Sequence, residues 1–196
     1  MCGFVGYINK KDKKYIKQMN DAISHRGPDD ESYYTDDDIA MGFRRLSIID
    51  LTGGRQPISN EDESMVITFN GEIYNFLDIK EDLLNKGHIF KTKTDTEVIL
   101  HGYEEYGLSI LDKLRGMFAF VIWDKKNKKL FGARDHFGQK PFYYALMNDT
   151  FMYGSEIKSL LHHPDFKKEI NQKALKSYLS FQTSVFEETF FKGVFR

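Results

Sequence analysis

At 196 residues the chain has room for one domain with a substantial core. Lys plus Arg number 28 against 29 Asp plus Glu, a net charge of −1, and no basic block faces an aromatic platform, which argues against nucleic acid as a partner. The longest apolar run, Met117 to Trp123, falls far short of the ~20 residues of a membrane-spanning helix, so no membrane partner is expected either. The opening Met-Cys-Gly-Phe-Val-Gly-Tyr-Ile-Asn reaches a polar residue too early for a secretory signal, and its lysines follow the apolar stretch. Gly3 stands one place too late for myristoylation. A single cysteine forbids an internal disulfide and fits a reducing compartment, so a soluble, cytoplasmic protein is expected.

In chain order, residues 2–8 read as a strand and Lys13–Ser24 as a helix, with Ile16, Met19 and Ile23 at helical spacing. Gly27-Pro28-Asp29-Asp30 breaks that helix into a loop. Strands are expected near 31–36, 39–48 and 65–70. Asn75 is placed as the N-cap of a helix that ends at Gly87, with Phe76, Ile79, Leu83 and Leu84 as its apolar stripe. Thr94 and Glu97 have the spacing of a capping box at the head of a second helix that stops at Gly107. Phe118 to Trp123 is apolar at every position, which predicts a strand buried on both faces. A polar loop over Lys125–Lys128 joins it to a strand over Lys129–Arg134. Strands over 141–146 and 150–155 follow, then short helices after Glu156 and Asn171. Strands buried on both faces need a cover on each side, which indicates a layered α+β fold.

A lone cysteine is commonly a small buried hydrophobe. At position 2 it has another reading. Trimming of Met1 would leave Cys2 with a thiol and a free α-amine, groups whose usual pKa values are ~8.5 and ~7.7–8.0, so that the amine serves as base for the thiol. Asn70-Gly71 is the favoured pair for a tight hairpin turn, and it is also a pair of N–H donors. The six histidines show no metal-ligand spacing, and the adjacent His162-His163 cannot share an ion on one helix face, so no metal site is expected.

Seven segments in order carry a resemblance that covers the chain: Cys2-Gly3-Phe4-Val5-Gly6, Ser24-His25-Arg26-Gly27-Pro28-Asp29, Arg45-Leu46-Ser47-Ile48-Ile49-Asp50, Asn70-Gly71-Glu72-Ile73-Tyr74-Asn75, Thr94-Asp95-Thr96-Glu97, Arg115-Gly116-Met117-Phe118-Ala119-Phe120 and Ala133-Arg134-Asp135-His136-Phe137-Gly138. The set resembles the glutaminase domain of glutamine-hydrolysing asparagine synthetases, a class II amidotransferase of the N-terminal-nucleophile type. The resemblance implies a four-layer αββα sandwich of two mainly antiparallel sheets flanked by helices. It implies that Cys2 attacks the side-chain amide of L-glutamine and passes through a thioester to glutamate and ammonia, with the Asn70 amide and the Gly71 N–H holding the oxyanion. Arg45 would take the α-carboxylate and Asp95 the α-ammonium, while backbone groups of Leu46, Ser47, Ile48, Ile49 and Glu72 line the pocket. Arg26, Asp29, Arg134 and Asp135 are placed behind these residues. Phe43 departs from the histidine that many relatives carry two residues before Arg45, which bears on subgroup.

Other class II glutaminases carry different residues in the 25–30, 45–48 and 71–75 segments; cousins that amidate other carboxylates share more of them. The sequence has neither a Ser-Gly-Gly-x-Asp-Ser loop nor a Walker-type Gly-x-x-x-x-Gly-Lys-Ser/Thr, so no cofactor is expected here. ATP and Mg are expected only for a C-terminal synthetase domain, which the resemblance implies. Residues 2–180 are assigned to the glutaminase domain and 181–196 to the start of its connection to that partner domain, and a homodimer is one further partner expected. Retention of Met1 would block the α-amine and leave a glutamine-binding module without catalysis. A self-processing hydrolase of peptides or penicillins is disfavoured by the Arg45 and Asp95 pair, which suits an amino-acid zwitterion.

Overall fold

The computed structural model describes residues 1–8, 12–47, 54–183 and 186–196. Its elements are β1 (Gly3–Ile8), α1 (Tyr15–Asp21), β2 (Asp30–Thr35), β3 (Ile39–Arg45), β4 (Ile58–Ser59), β5 (Met65–Ile73), α2 (Phe76–Asn85), α3 (Thr96–Tyr106), α4 (Ile110–Lys113), β6 (Gly116–Asp124), β7 (Lys129–Arg134), β8 (Tyr143–Met147), β9 (Thr150–Gly154), α5 (Ile157–Leu160), α6 (Gln172–Phe181) and β10 (Val194–Phe195). The strands form two sheets, β10-β8-β9-β1-β3-β2 and β4-β5-β6-β7, with every pairing antiparallel.

β6 shows why the sheets stack. Successive side chains of a strand point to opposite faces. Phe118, Phe120 and Ile122 enter one core with Ile79 and Leu83 of α2, Val98 and Ile99 of α3, and Ile110 of α4. The alternate residues Ala119, Val121 and Trp123 enter a different core, facing Phe4 of β1 and Ile39, Met41 and Phe43 of β3. On the far side of the six-stranded sheet, Val5, Tyr7 and Ala40 pack with Ile16 and Met19 of α1 and Leu160 of α5. Three cores separate four layers, so the αββα order follows from which side chains share a core. Each such large apolar side chain, once fully buried, contributes about 1.5–3 kcal/mol.

Several local expectations change in the folded chain. The helix expected over Lys13–Ser24 ends at Asp21, and Ser24–Arg26 tightens into a 3-10 turn. The strand expected to run to 48 stops at Arg45, because the Leu46 N–H turns to the Cys2 sulfur and the Ser47 N–H to the Asp29 carboxylate. β5 runs on to Ile73 because β6 pairs with it along its whole length. Asn75 stands at the head of α2, but its side chain does not cap it. Its amide instead donates to Lys113 O and accepts the Arg115 N–H, stitching α2 to the start of β6. No capping box forms at α3 either. Asp95 holds the N-cap position, and the Glu97 carboxylate takes the N–H groups of Lys91 and Thr92. Asn171 does cap α6, accepting from Lys173 and Ala174. Val194 and Phe195 pair with Ala145 and Tyr144, which ties the end of the chain to the six-stranded sheet.

Candidate active site

Cys2 lies immediately before β1, held from two directions. Its carbonyl accepts the Arg26 Nε–H at 3.0 Å, and its sulfur accepts the Leu46 N–H at 3.4 Å. Arg26 is itself fixed by Glu156 at 3.1 Å, so the 3-10 turn and the start of α5 jointly set the position of the chain end. The Asp29 carboxylate takes the Ser47 N–H at 2.7 Å and its own N–H bonds Arg45 O, which anchors the Arg45–Ser47 segment beside Cys2.

Opposite lies β5. The Tyr74 N–H bonds Arg115 O, so even-numbered residues of β5 bond to β6 and the N–H groups of Phe69, Gly71 and Ile73 point to the other edge. Gln56 Oε1 accepts from Phe69 and Asp95 Oδ2 from Ile73. Gly71, between them, directs its N–H to the same edge. A side chain on Gly71 would collide with the Met117 carbonyl and Phe118 Cα, so glycine is required for β5 and β6 to approach this closely. Asn70 is buried, and its Nδ2 has no hydrogen-bond partner. That orphaned donor is unusual, because buried polar groups are nearly always paired.

These groups meet at one cavity of about 300 Å³, lined by Cys2, Arg45, Leu46, Asn70, Gly71, Glu72 and Asp95. The volume is at the small end of the ~300–1,000 Å³ typical of ligand sites. A larger depression of about 820 Å³ runs past Arg134, His136 and Arg196, and is shallow and without a thiol. Ser47 is not among the cavity residues, its N–H being spent on Asp29, and Ile48 and Ile49 lie outside the described residues. Burial, above all, lifts the Asp95 carboxyl above its ordinary range; the nearby Glu72 charge adds to this and the Ile73 N–H opposes it. The cavity thus holds a thiol, an orphaned amide donor, a guanidinium and a carboxyl whose ionisation burial disfavours.

Several cavity residues were not singled out by sequence reading. Gln56 spends both ends of its amide on the Phe69 backbone, which fixes the edge of β5. Met1, Phe43, Gly54, Phe69, Thr94, Thr96, Met117 and Lys140 also line the cavity. Nothing local in the sequence marks Gln56. Lys140 had a signal, since it closes the loop that begins at Arg134-Asp135. Arg134 Nε donates to Lys140 O at 2.7 Å, and the buried Asp135 accepts from Phe118, Phe137, Gln139 and Lys140.

Burial works against ionisation of Asp135, but its backbone donors outweigh it and hold the carboxyl below the ordinary range. A depressed native pKa contributes stability that is full above the unfolded value of ~3.9 and is lost as pH falls through the native one. Asp135→Ala is therefore expected to cost about 2–4 kcal/mol at pH 7, since it strands several buried N–H groups. The same change flattens the acid limb of the stability curve. Urea unfolding at pH 7 and pH 3 measures both, and equal losses at the two pH values would contradict the assignment.

The glutamine amidotransferase domain family matches the chain over residues 1–196. The chain belongs to that family. Glutamine-hydrolyzing asparagine synthetase 1 of Bacillus subtilis is 50% identical over 189 residues, which cover 93% of this chain and 30% of that protein. Glutamine-hydrolyzing asparagine synthetase 3 of the same organism is 39% identical over 202 residues, covering 99% of this chain and 33% of its own length. The chain thus spans about a third of the curated relatives it matches, and it aligns with their amidotransferase part. Among solved structures, the glutamine phosphoribosylpyrophosphate amidotransferase from B. subtilis superposes with a TM-score of 0.70 at 22% identity, covering 87% of this chain and 45% of the other. That likeness speaks for the fold, an Ntn-hydrolase-type sandwich of α+β class. Among the described residues no helix is long and apolar enough to cross a membrane.

Proposed function

We propose that this amidotransferase domain hydrolyses L-glutamine through Cys2 after removal of Met1. The Cys2 thiol gives its proton to the α-amine as sulfur attacks the side-chain amide carbon. The negative oxygen that forms is received by Asn70 Nδ2 and the Gly71 N–H. The proton then passes to the departing nitrogen, which leaves as ammonia and forms a thioester. Water cleaves the thioester to release glutamate and restore the thiol. One observation carries this reading: Asn70, whose buried side-chain donor has no partner, lines the same cavity as Cys2, the chain's single cysteine. A donor held ready for a charge that exists only during reaction is what an oxyanion site requires.

Substrate choice rests on two opposite charges. Arg45 offers a planar fork for an α-carboxylate. Asp95 gains a cation to settle a carboxylate that burial disfavours, which an α-ammonium would supply. The backbone of Leu46, Ser47, Ile48, Ile49 and Glu72 is proposed to line the same pocket. By likeness to the B. subtilis synthetases, the ammonia would serve ATP- and Mg-dependent amidation of aspartate to asparagine on a C-terminal domain. Residues 2–180 would form the glutaminase domain and 181–196 would begin the connection. A cytoplasmic location and a homodimer complete the proposal.

Glutamate release from glutamine, with neither ATP nor aspartate and with intact mass taken on the same sample, tests the core of it. Glutamate from protein lacking Met1 is the expected result. Calorimetric binding of glutamine without any glutamate release from Met-free protein would overturn it in favour of a binding module.

A further inference from the structure

Away from the cavity, four side chains converge from three segments of the chain. Glu61 stands in the turn between β4 and β5, His88 follows α2, and His101 and Glu104 lie one turn apart on α3. One ligand-capable atom from each lies within 4.8 Å of the others. We propose that Glu61, His88, His101 and Glu104 form a structural site for one divalent d-block cation, zinc being the natural probe.

His101 makes the case. It is only 1% exposed, and neither of its ring nitrogens has a hydrogen-bond partner. A buried imidazole without partners is costly unless something else binds it. Its Nδ1 faces Glu61 Oε2 at 3.3 Å and Glu104 Oε2 at 3.5 Å, while His88 Nδ1 lies 3.7 Å from the same Glu104 oxygen and 3.6 Å from Glu61 Oε1. These separations are too long for charge-assisted N–H···O bonds, which run ~2.7–2.9 Å. They match a tetrahedral ion instead: metal bonds of ~2.0–2.1 Å put the ligand atoms roughly 3.4 Å apart.

The surroundings already orient the ligands. Glu61 Oε1 accepts the Ile89 N–H at 2.9 Å, and Glu104 Oε1 accepts from Asn60 at 3.1 Å, which turns the second oxygen of each toward His101. Behind the rings stand further carboxylates. His101 Nε2 is 4.0 Å from Glu97 and His88 Nε2 is 3.5 Å from Glu105, so negative charge lies on the far side of each imidazole from the cluster. Two carboxylates neutralise a divalent charge, and two imidazoles select a transition metal over calcium or magnesium. His88 and Glu104 retain partial exposure, which gives an ion a way in. The site would pin the β4–β5 turn and the end of α2 to α3, the helix that begins beside Asp95.

The test uses the whole chain in a Cys2→Ala background, so that the active-site thiol cannot bind metal. Protein stripped with a chelator is titrated with zinc or cobalt(II), read by native mass spectrometry, by the visible spectrum of cobalt and by thermal melting. One bound equivalent, an intense tetrahedral cobalt spectrum and a melting point raised by several degrees are expected. Glu61→Gln and His88→Gln, at half-buried positions that tolerate substitution better than His101, should each weaken binding by ~10–100-fold or more. Absence of a bound equivalent in the unsubstituted cluster would overturn the proposal, as would an affinity in both variants unchanged from that of the unsubstituted cluster.

Discussion

Cys2→Ala is expected to lower glutamate release from glutamine by on the order of 10⁴–10⁶-fold, the loss seen when a nucleophile is removed. The substitution is well suited to isolate the chemistry. Alanine leaves the second residue small, so trimming of Met1 and the α-amine are preserved while the thiol is lost. Cys2 is half-buried; its sulfur makes two weak hydrogen-bond contacts with Leu46 and packs at the margin of the core between the sheets, so alanine there should cost little stability. The backbone anchor from Arg26 to the Cys2 carbonyl does not depend on the side chain and survives. Glutamine should therefore still bind, between Arg45 and Asp95, and calorimetry on the variant should show it. Residual turnover near that of the parent would mean that another group does the attacking. The described residues contain no second cysteine, so a general-base mechanism on water would then be the remaining route.

How much of this was legible in the sequence differs by element. β6 was legible because an unbroken apolar run has one stable outcome in a layered fold, with one face on helices and the other on a second sheet. α1 was legible in kind, and all three of its spaced apolar residues do sit in the core, although Ile23 lies past the helix end. The caps were not. Asn75 and Glu97 have the residue types of helix starts, but each meets a partner that wins: the distant Lys113 and Arg115 for Asn75, and the preceding loop at Lys91 and Thr92 for Glu97. A local rule cannot weigh a competitor that arrives from 38 residues away.

The cavity follows the same division. Segment order brought Cys2, Arg45, Asn70, Gly71 and Asp95 into view, and the fold brings them to one cavity. Gln56 and Lys140 escaped because their place depends on the edge of β5 and on the loop held by Asp135. The His88 and His101 cluster escaped for a geometric reason. Its ligands come from a turn, a helix exit and a helix face, so no spacing rule for metal ligands applies.

Asn70→Ala is expected to lower kcat for glutamine hydrolysis by ~10²–10³-fold while leaving KM nearly unchanged, the signature of a donor used only in the transition state. The structure adds a second, opposing expectation. Asn70 Nδ2 is buried and unpaired in the folded protein, and such a group costs about 1–3 kcal/mol. Removing it should therefore leave thermal stability unchanged or raise it, whereas an ordinary buried asparagine in a strand would destabilise the fold when truncated. Asn70→Asp sharpens the contrast, because it keeps the shape but presents an acceptor where a negative oxygen must form; its loss of kcat should be at least as large as that of alanine. A raised KM at unchanged kcat would assign Asn70 to ground-state binding, and a large fall in stability would make it a packing residue. Activity and stability moving in opposite directions at one buried strand position would show that the fold holds a donor unsatisfied until the reaction supplies its partner.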